Sequence, residues 1–128
     1  MRLLLDTHAL LWWAAGDAKL PRRVRLAVGR EENAVVVSAA SAWEISTKHR
    51  FGKLSTPGPL IDGLLDYLAD QNFATLAITL RHAQRAGSLP GTHRDPFDRM
   101  LAAQAQLEDL TIVSNDEAFD GYGVRRFW

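Results

Sequence analysis

Short apolar runs alternate with stretches of helical periodicity along the whole chain. The apolar runs are rich in leucine or β-branched residues, and polar or turn residues end each of them, which is typical of buried strands. The predicted strands cover residues 3–5, 34–37, 76–78 and 111–113, with a fifth candidate at 124–127. The sequence therefore predicts a central sheet of four to five strands.

The stretches between these runs place apolar residues on one helical face. Residues 8–15 differ, because they are apolar nearly all round, as in a helix that is buried or covered by a partner. Further helices are predicted over 20–28, from Ser38 to about Arg50, over 60–68, before Gly87 and from Asp95 onward. Since short buried strands that alternate with helices form parallel sheets covered on both faces, we predict an α/β fold with three layers, α/β/α.

The composition fits one domain, over residues 1–128, with an ordinary core. The chain is 47% hydrophobic and 23% charged, and 15 acidic residues balance 15 basic ones. Cysteine is absent, which excludes disulfides, thiol nucleophiles, zinc fingers and iron–sulfur clusters. Asp6 and His8 interrupt the apolar N-terminus, and no apolar segment reaches the roughly 18 residues of a membrane span. We expect a complete, cytoplasmic chain that does not enter a membrane.

Four acidic residues fall at the edge of the predicted sheet where ligands bind. Asp6 ends the first strand, Glu44 lies on the helix after the second, Asp98 begins the helix before the fourth, and Asp116 follows the fourth. Ligands of open parallel sheets bind outside the carboxyl ends of the strands. Carboxylates that converge there raise one another's pKa, and a hard divalent cation removes that conflict. An oxygen-only ligand set favours Mg²⁺ or Mn²⁺ and phosphoryl chemistry.

Each of these acids also has a purely structural interpretation. Asp6 and Asp116 suit the N-caps of the segments that follow them. Glu44 and Lys48 form an i, i+4 pair worth about 0.2–0.5 kcal/mol. The helix dipole favours Asp98 in a first turn. The hypothesis of a metal site therefore depends on the edge that the four acids share and not on any one of them.

Four motifs, in order along the chain, carry a resemblance to a known family. They are LLLDTHALLW at 3–12, SAWEISTK at 41–48 with GKL at 52–54, HRDPFDRMLAAQA at 93–105, and IVSNDEAF at 112–119. Together they resemble the motifs of PIN-domain ribonucleases, specifically the VapC-type toxins of bacterial toxin–antitoxin pairs. The resemblance spans residues 1 to about 122, and every acidic position of the motifs is filled.

This resemblance implies a PIN-like fold and a Mg²⁺- or Mn²⁺-dependent endoribonuclease. Water would be the nucleophile, and the products would carry a 5′-phosphate and a 3′-hydroxyl. It also implies a homodimer held by a cognate VapB-type antitoxin, which would bind operator DNA for the complex. By the resemblance, the residues of the metal site are Asp6, Glu44, Asp98 and Asp116. Supporting roles fall to Thr7, Ser114 and Asp95, the last of which also suits a helix cap.

Basic and aromatic side chains near these motifs are secondary candidates. The candidates for contacts with an RNA backbone are Lys48, Arg50, Lys53 and Arg99. Arg99 suits a salt bridge equally well. We expect Trp43 to lie in the core. Trp12 and Trp13 are adjacent, so one helix can hardly bury both, and we expect one of them to contact a partner.

Two other functions compete with the ribonuclease. A metal-dependent phosphatase of the haloacid dehalogenase type also begins with a strand that ends in Asp, but it needs a second Asp two residues on, where this chain has His8. The other is a PIN-fold nucleic-acid-binding module with little catalysis, which we would expect to have lost one or more of the acids.

Overall fold

Five parallel strands form the sheet in the computed structural model, which describes residues 1–128. Their order across the sheet is β3-β2-β1-β4-β5, and each neighbouring pair is parallel. The strands are β1 (Arg2–Leu5), β2 (Ala34–Ser38), β3 (Ala74–Leu76), β4 (Thr111–Val113) and β5 (Arg126–Phe127). The central strand is β1, where Leu4 lies opposite Val36 on one side and Ile112 on the other.

Helices connect the strands in every crossover but the last, where a 3₁₀-helix does so. They are α1 (Thr7–Ala15), α2 (Arg22–Gly29), α3 (Ala39–Arg50), α4 (Leu64–Asp70), α5 (Leu80–Ser88) and α6 (Pro96–Glu108), with 3₁₀-helices at Gly58–Leu60 and Glu117–Tyr122. None of the helices has the length and hydrophobicity needed to span a lipid bilayer.

The sheet separates two hydrophobic cores, because side chains of a strand alternate between its faces. Leu3 and Leu5 of β1 belong to a core that includes residues of α1 and α2. Leu4 belongs to a second core, which is filled mainly from α5 and α6. The predicted three-layer α/β/α arrangement with a parallel sheet is therefore confirmed.

The two helices that carry predicted acids, α3 and α6, lie antiparallel along a seam. Ser38, the N-cap of α3, bonds to Gln104 in the second half of α6, whereas Trp43 meets Phe97 near the start of α6, with ring centroids 4.9 Å apart. Residues nearer the C-terminus of α3 thus contact residues nearer the N-terminus of α6. We call this contact the α3–α6 seam.

Three predicted boundaries are wrong. The third strand covers Ala74–Leu76 instead of 76–78, because Leu76 pairs with Ser38, and β2 ends there to let Ser38 cap α3. The fifth strand is only Arg126–Phe127. The helix predicted over 60–68 is split, because Gly63 adopts a left-handed conformation (φ 80°) between the first 3₁₀-helix and α4.

The adjacent tryptophans of α1 are both half-buried, and other parts of the same chain contact each of them. Trp13 packs against Phe73 and donates its indole N–H to Gln71 at 2.9 Å. Trp12 packs against the C-terminal Trp128, with ring centroids 5.7 Å apart. Contacts within the chain therefore account for much of the apolar surface of α1.

Candidate functional site

A polar pocket of about 260 Å³ opens at the carboxyl end of β1, and no hydrophobic residue lines it. Its walls come from the ends of β1 and β4 and from α3 and α6, which the sheet order and the α3–α6 seam bring together. We call it the acidic pocket. Its lining residues are Asp6, Thr7, His8, Glu44, Lys48, Asp95, Asp98, Asn115 and Asp116. All four acids predicted for the metal site therefore line one cavity.

Asp6 is a buried carboxylate of this pocket, with 5% of its surface exposed. It follows the central strand and caps α1, since its Oδ1 accepts a hydrogen bond from the backbone N–H of Ala9 at 2.7 Å. Burial raises the pKa of Asp6 to about 6, although hydrogen bonds from Ser114 and Ala9 act in the opposite direction. Asp6 is thus both a helix cap and a carboxylate whose ionised form is poorly solvated.

Glu44 is buried on α3, and both of its oxygens have partners. The Thr7 hydroxyl donates to Oε1 at 2.5 Å, and the Lys48 ammonium forms an ion pair with Oε2. This hydrogen-bonded pair raises the pKa of Lys48. Thr7 also lies 3.1 Å from the hydroxyl of Ser41, so Glu44 is held from α1 and from its own helix.

Asp98 and Asp95 lie at the start of α6 and have different contacts. Asp95 is the N-cap, because its Oδ1 accepts from the backbone N–H groups of Phe97 at 2.9 Å and of Asp98 at 3.1 Å. Asp98 Oδ2 lies 3.0 Å from Nε2 of His93. Burial raises the pKa of Asp98, the His93 hydrogen bond lowers it, and the nearby charges of Asp95 and Glu44 raise it further. Asp95 therefore caps the helix and adds negative charge to the same pocket.

Asp116 is the exposed member of the set. It caps the second 3₁₀-helix by accepting from the backbone N–H of Ala118 at 2.9 Å. Its own backbone N–H donates to the hydroxyl of Ser114, also at 2.9 Å. Because the buried Ser114 also bonds to Asp6, this one side chain connects the carboxyl ends of β1 and β4.

The acids share a cavity, but they do not form a ready-made coordination sphere. No three of the chain's aspartate, glutamate or histidine side chains are arranged to hold a metal ion. Groups of the protein itself already engage each carboxylate, and these are backbone N–H groups, Thr7, Lys48 and His93. A bound cation would have to replace some of these contacts.

The predicted RNA-backbone candidates divide into three kinds. Lys48 lines the acidic pocket. Arg50 and Lys53 are exposed around the C-terminal end of α3, outside the pocket lining. The guanidinium of Arg99 donates to main-chain carbonyls and does not form the salt bridge that was its alternative role, and its contact with RNA stays a prediction. Its three acceptors are the carbonyl oxygens of Ala86, Leu89 and His93.

Sequence reasoning also misplaced one aromatic residue and missed two histidines, of which His8 lines the acidic pocket. Trp43, expected in the core, is 59% exposed and lies against the edge of Phe97. His93 contacts Asp98 although no histidine was predicted at the site. The available signal was its position five residues before Asp98 and just ahead of the helix cap.

Two curated proteins are similar to the chain in sequence. Ribonuclease VapC16 of Mycobacterium tuberculosis is 34% identical over 79 residues, which are 60% of this chain and 56% of that protein. The chain thus spans little more than half the length of this relative. Ribonuclease VapC22 of the same organism is 28% identical over 115 residues, which are 89% of this chain and 86% of that protein. Both names agree with the resemblance carried by the four motifs.

Solved structures of similar proteins share the fold. VapBC2 from Rickettsia felis, bound to a DNA fragment from its promoter, gives a TM-score of 0.72 at 16% identity, covering 99% of this chain and 98% of that one. DNA-bound VapBC from Salmonella typhimurium gives 0.69 at 19% identity, covering 99% and 97%. FitAcB from Neisseria gonorrhoeae gives 0.67 at 21% identity, covering 98% and 96%. These similarities confirm the predicted PIN-like fold.

The family model described as PIN domain matches residues 3–124. This match includes all four acids and both helices of the α3–α6 seam. It removes the haloacid dehalogenase alternative, whose second Asp is replaced here by His8. Since the match covers nearly the whole sequence, the chain belongs to the PIN domain family.

Proposed function

We propose that the protein is the endoribonuclease toxin of a toxin–antitoxin pair and that it hydrolyses RNA phosphodiester bonds with Mg²⁺ or Mn²⁺. The observation that carries the proposal is the acidic pocket, in which four separate segments place Asp6, Glu44, Asp98 and Asp116 around one cavity without an apolar wall. The ribonuclease names of the two curated relatives support the reaction class.

The residues of the acidic pocket fit a hard divalent cation. Five carboxylates line it, counting Asp95, against the single ammonium of Lys48. Carboxylate oxygens are the ligands that Mg²⁺ and Mn²⁺ prefer, and the pKa values of Asp6 and Asp98 are raised mainly by burial and in smaller part by neighbouring carboxylates. The residues that would hold the cation are Asp6, Glu44, Asp98 and Asp116. The cation would supply activation of water and neutralisation of charge at the phosphodiester.

The remaining side chains of the pocket orient these acids and meet the substrate. Thr7 holds one oxygen of Glu44, and Ser114 bonds to Asp6, so both acids are fixed by buried hydroxyls. Lys48 is the only lysine or arginine that lines the pocket, which makes its ammonium the group of this chain best placed to contact a phosphate. Arg50 and Lys53 extend positive charge outward from there along the path of an RNA strand.

We further propose that the chain forms a homodimer, binds a VapB-type antitoxin and reaches operator DNA only through that complex. The structural neighbours from Rickettsia felis and Salmonella typhimurium are VapBC assemblies bound to DNA. On this chain, large apolar side chains lie on the surface, with Leu80 89% and Leu65 73% exposed. Such surface is typical of protein interfaces.

The elevated pKa of Asp6 predicts how stability depends on pH without metal. The unfolded chain ionises Asp6 near pH 4, whereas the folded chain does so near pH 6, so folding loses stability as the pH rises through this window. Asp6→Asn keeps an N-cap acceptor and removes the charge. In urea titrations with EDTA, its stability relative to wild type should increase by about 2 kcal/mol between about pH 4.5 and about pH 7.5.

The exposed Asp62→Asn provides the control for loss of one negative charge. It should show no comparable change between the two pH values. A difference between Asp6→Asn and wild type that is independent of pH would contradict the assignment.

The variant Asp98→Asn tests whether Asp98 acts as a metal ligand or only stabilises its helix. If Asp98 acts only in the first turn of α6, the variant should lose about 0.3–1 kcal/mol and stay active. We expect instead that the metal-free variant is at least as stable as wild type, because repulsion within the pocket falls. Its stabilisation by Mg²⁺ should shrink, and RNA cleavage should drop by orders of magnitude.

Thermal melts with and without Mg²⁺, together with a cleavage assay, provide the measurement. Wild-type cleavage should stop in EDTA. Cleavage that continues undiminished in chelator would refute a metal mechanism, and a destabilised but fully active Asp98→Asn would assign Asp98 to the helix alone.

The basic residues outside the pocket should respond to substitution in two different ways. Combining Arg50→Gln with Lys53→Gln should weaken RNA binding and reduce the slope of log affinity against log salt by about 0.7 for each phosphate that is no longer neutralised. The matched control combines Arg22→Gln with Arg30→Gln, two exposed arginines of the α2 region. An equal drop in RNA affinity in the control would mean that RNA binds to positive charge in general and not to Arg50 and Lys53.

Arg99→Gln should instead lower the Tm, because three carbonyls are left without their donor.

Light scattering should show a dimer, and Leu80→Glu should weaken it while leaving the stability of the monomer unchanged. Leu80 is the first residue of α5, where a negative charge is favourable and where the side chain is nearly free of contacts within the chain. Leu26→Glu, on the exposed side of α2, is the control. A wild-type protein that stays monomeric at high concentration would refute the homodimer.

A further inference from the structure

A buried polar link joins α3 to α6 at the end of the seam away from the acidic pocket. Gln104 is completely buried, and its Oε1 accepts a hydrogen bond from the hydroxyl of Ser38 at 2.5 Å. The same hydroxyl accepts from the backbone N–H of Ala40 at 3.0 Å and so caps α3. One serine therefore both starts α3 and attaches it to α6.

The other end of the Gln104 amide is fixed as well. Its Nε2 lies 3.3 Å from the carbonyl oxygen of Ala77 and 3.3 Å from Nδ1 of the buried His82. That Nδ1 accepts from the backbone N–H of Thr79 at 3.0 Å, so it carries no proton, and the carbonyl of Ala77 is the acceptor that fixes the NH₂ end of Gln104. The amide can satisfy these neighbours in one orientation only, with its NH₂ toward α5 and its oxygen toward Ser38.

This link lies at a fixed distance from the acids along both helices. Glu44 follows Ser38 by six residues on α3, and Asp98 precedes Gln104 by six residues on α6. In an α-helix six residues rise about 9 Å, so the link and the acids lie about equally far along two antiparallel helices. A shift of one helix along the other would offset Glu44 from Asp98 along the helix axes by the same amount.

The aromatic contact along the α3–α6 seam restrains such a shift less. Trp43 and Phe97 meet edge to face through apolar surface, and such a contact changes little with small displacements. A hydrogen bond between two buried groups is much more sensitive to displacement, because a small shift leaves both polar groups unpaired. The Ser38–Gln104 bond therefore resists sliding of α3 against α6 more strongly than the aromatic contact does.

We propose that Gln104 and Ser38 are positioning residues that set the alignment of Glu44 with Asp98 along the two helices and thereby the affinity of the acidic pocket for a divalent cation. Neither residue lines the pocket. The inference rests on the proposed function, since it takes the pocket to be the metal site.

The test measures binding of Mn²⁺ alone, without RNA, by electron paramagnetic resonance of the free ion on the full chain. Gln104→Met keeps the shape of the side chain and removes its hydrogen bonds, and Ser38→Ala removes the other partner. Each should weaken Mn²⁺ binding about 10- to 100-fold, as removal of groups that orient metal ligands does. Both substitutions remove the same hydrogen bond. The double variant should therefore bind Mn²⁺ with about the affinity of whichever single variant binds it less tightly.

Two further variants separate positioning from general loss of stability. Val24→Ala creates a cavity in the core on the other face of the sheet and should lower the Tm while leaving Mn²⁺ affinity unchanged. Ser38→Thr keeps a hydroxyl at the cap and should bind Mn²⁺ nearly as wild type does. It also keeps the test decisive if Gln104→Met fails to fold, because Ser38→Ala compared with Ser38→Thr then reports on the bond.

Wild-type affinity in Gln104→Met or Ser38→Ala would overturn the inference and leave the proposed function intact. A decrease in affinity in Val24→Ala as large as in Gln104→Met would also overturn it, because stability alone would then explain the effect. A wild-type chain that binds no Mn²⁺ would overturn the proposed function, and the inference with it.

Discussion

Burial of a carboxylate at the end of the central strand is the constraint around which the site is built. β1 is covered on both faces and paired on both sides, so the residue that follows it has little access to water. Asp6 occupies that position, and its ionised form depends on the few donors within reach, the backbone N–H of Ala9 and the hydroxyl of Ser114. Further carboxylates around it increase the electrostatic cost, which protonation or binding of a cation would offset.

The structural and the functional interpretation of the acids turn out to be compatible. Asp6, Asp95 and Asp116 each cap a helix, and Glu44 forms the i, i+4 pair with Lys48. Capping uses one oxygen of a carboxylate and leaves the other free. A residue can therefore begin a helix and still present an oxygen to a ligand, which places the ligand at a helix start with little freedom to move.

The sequence predicted most of what local pattern and chain order determine. Alternation of apolar runs with helical stretches was enough for a parallel three-layer fold, and the position of Asp6 and Asp116 after β1 and β4 was enough to place both at one edge. The start of α6 at Asp95 was also readable, because a cap followed by proline is a local signal.

What the sequence did not predict depends on contacts between distant segments. The end of β3 follows from Ser38 leaving β2, which involves a residue 38 positions earlier than Leu76. Trp43 is a large aromatic residue of the kind found in cores, and only the packing of α3 against α6 leaves it at the surface. Arg99 stands next to Asp98, yet its direction is decided by carbonyls of α5 and the following loop. Nothing local encodes these choices.

The three carbonyls held by Arg99 have a consequence for His93. Ala86 lies in the last turn of α5, Leu89 and His93 lie in the loop beyond it, and Arg99 belongs to α6, so one guanidinium ties this whole segment to the helix that carries Asp98. The bond to the His93 carbonyl helps to hold the imidazole of the same residue 3.0 Å from a carboxylate of the acidic pocket. A side chain outside the pocket lining thereby fixes the neighbour of one of the acids.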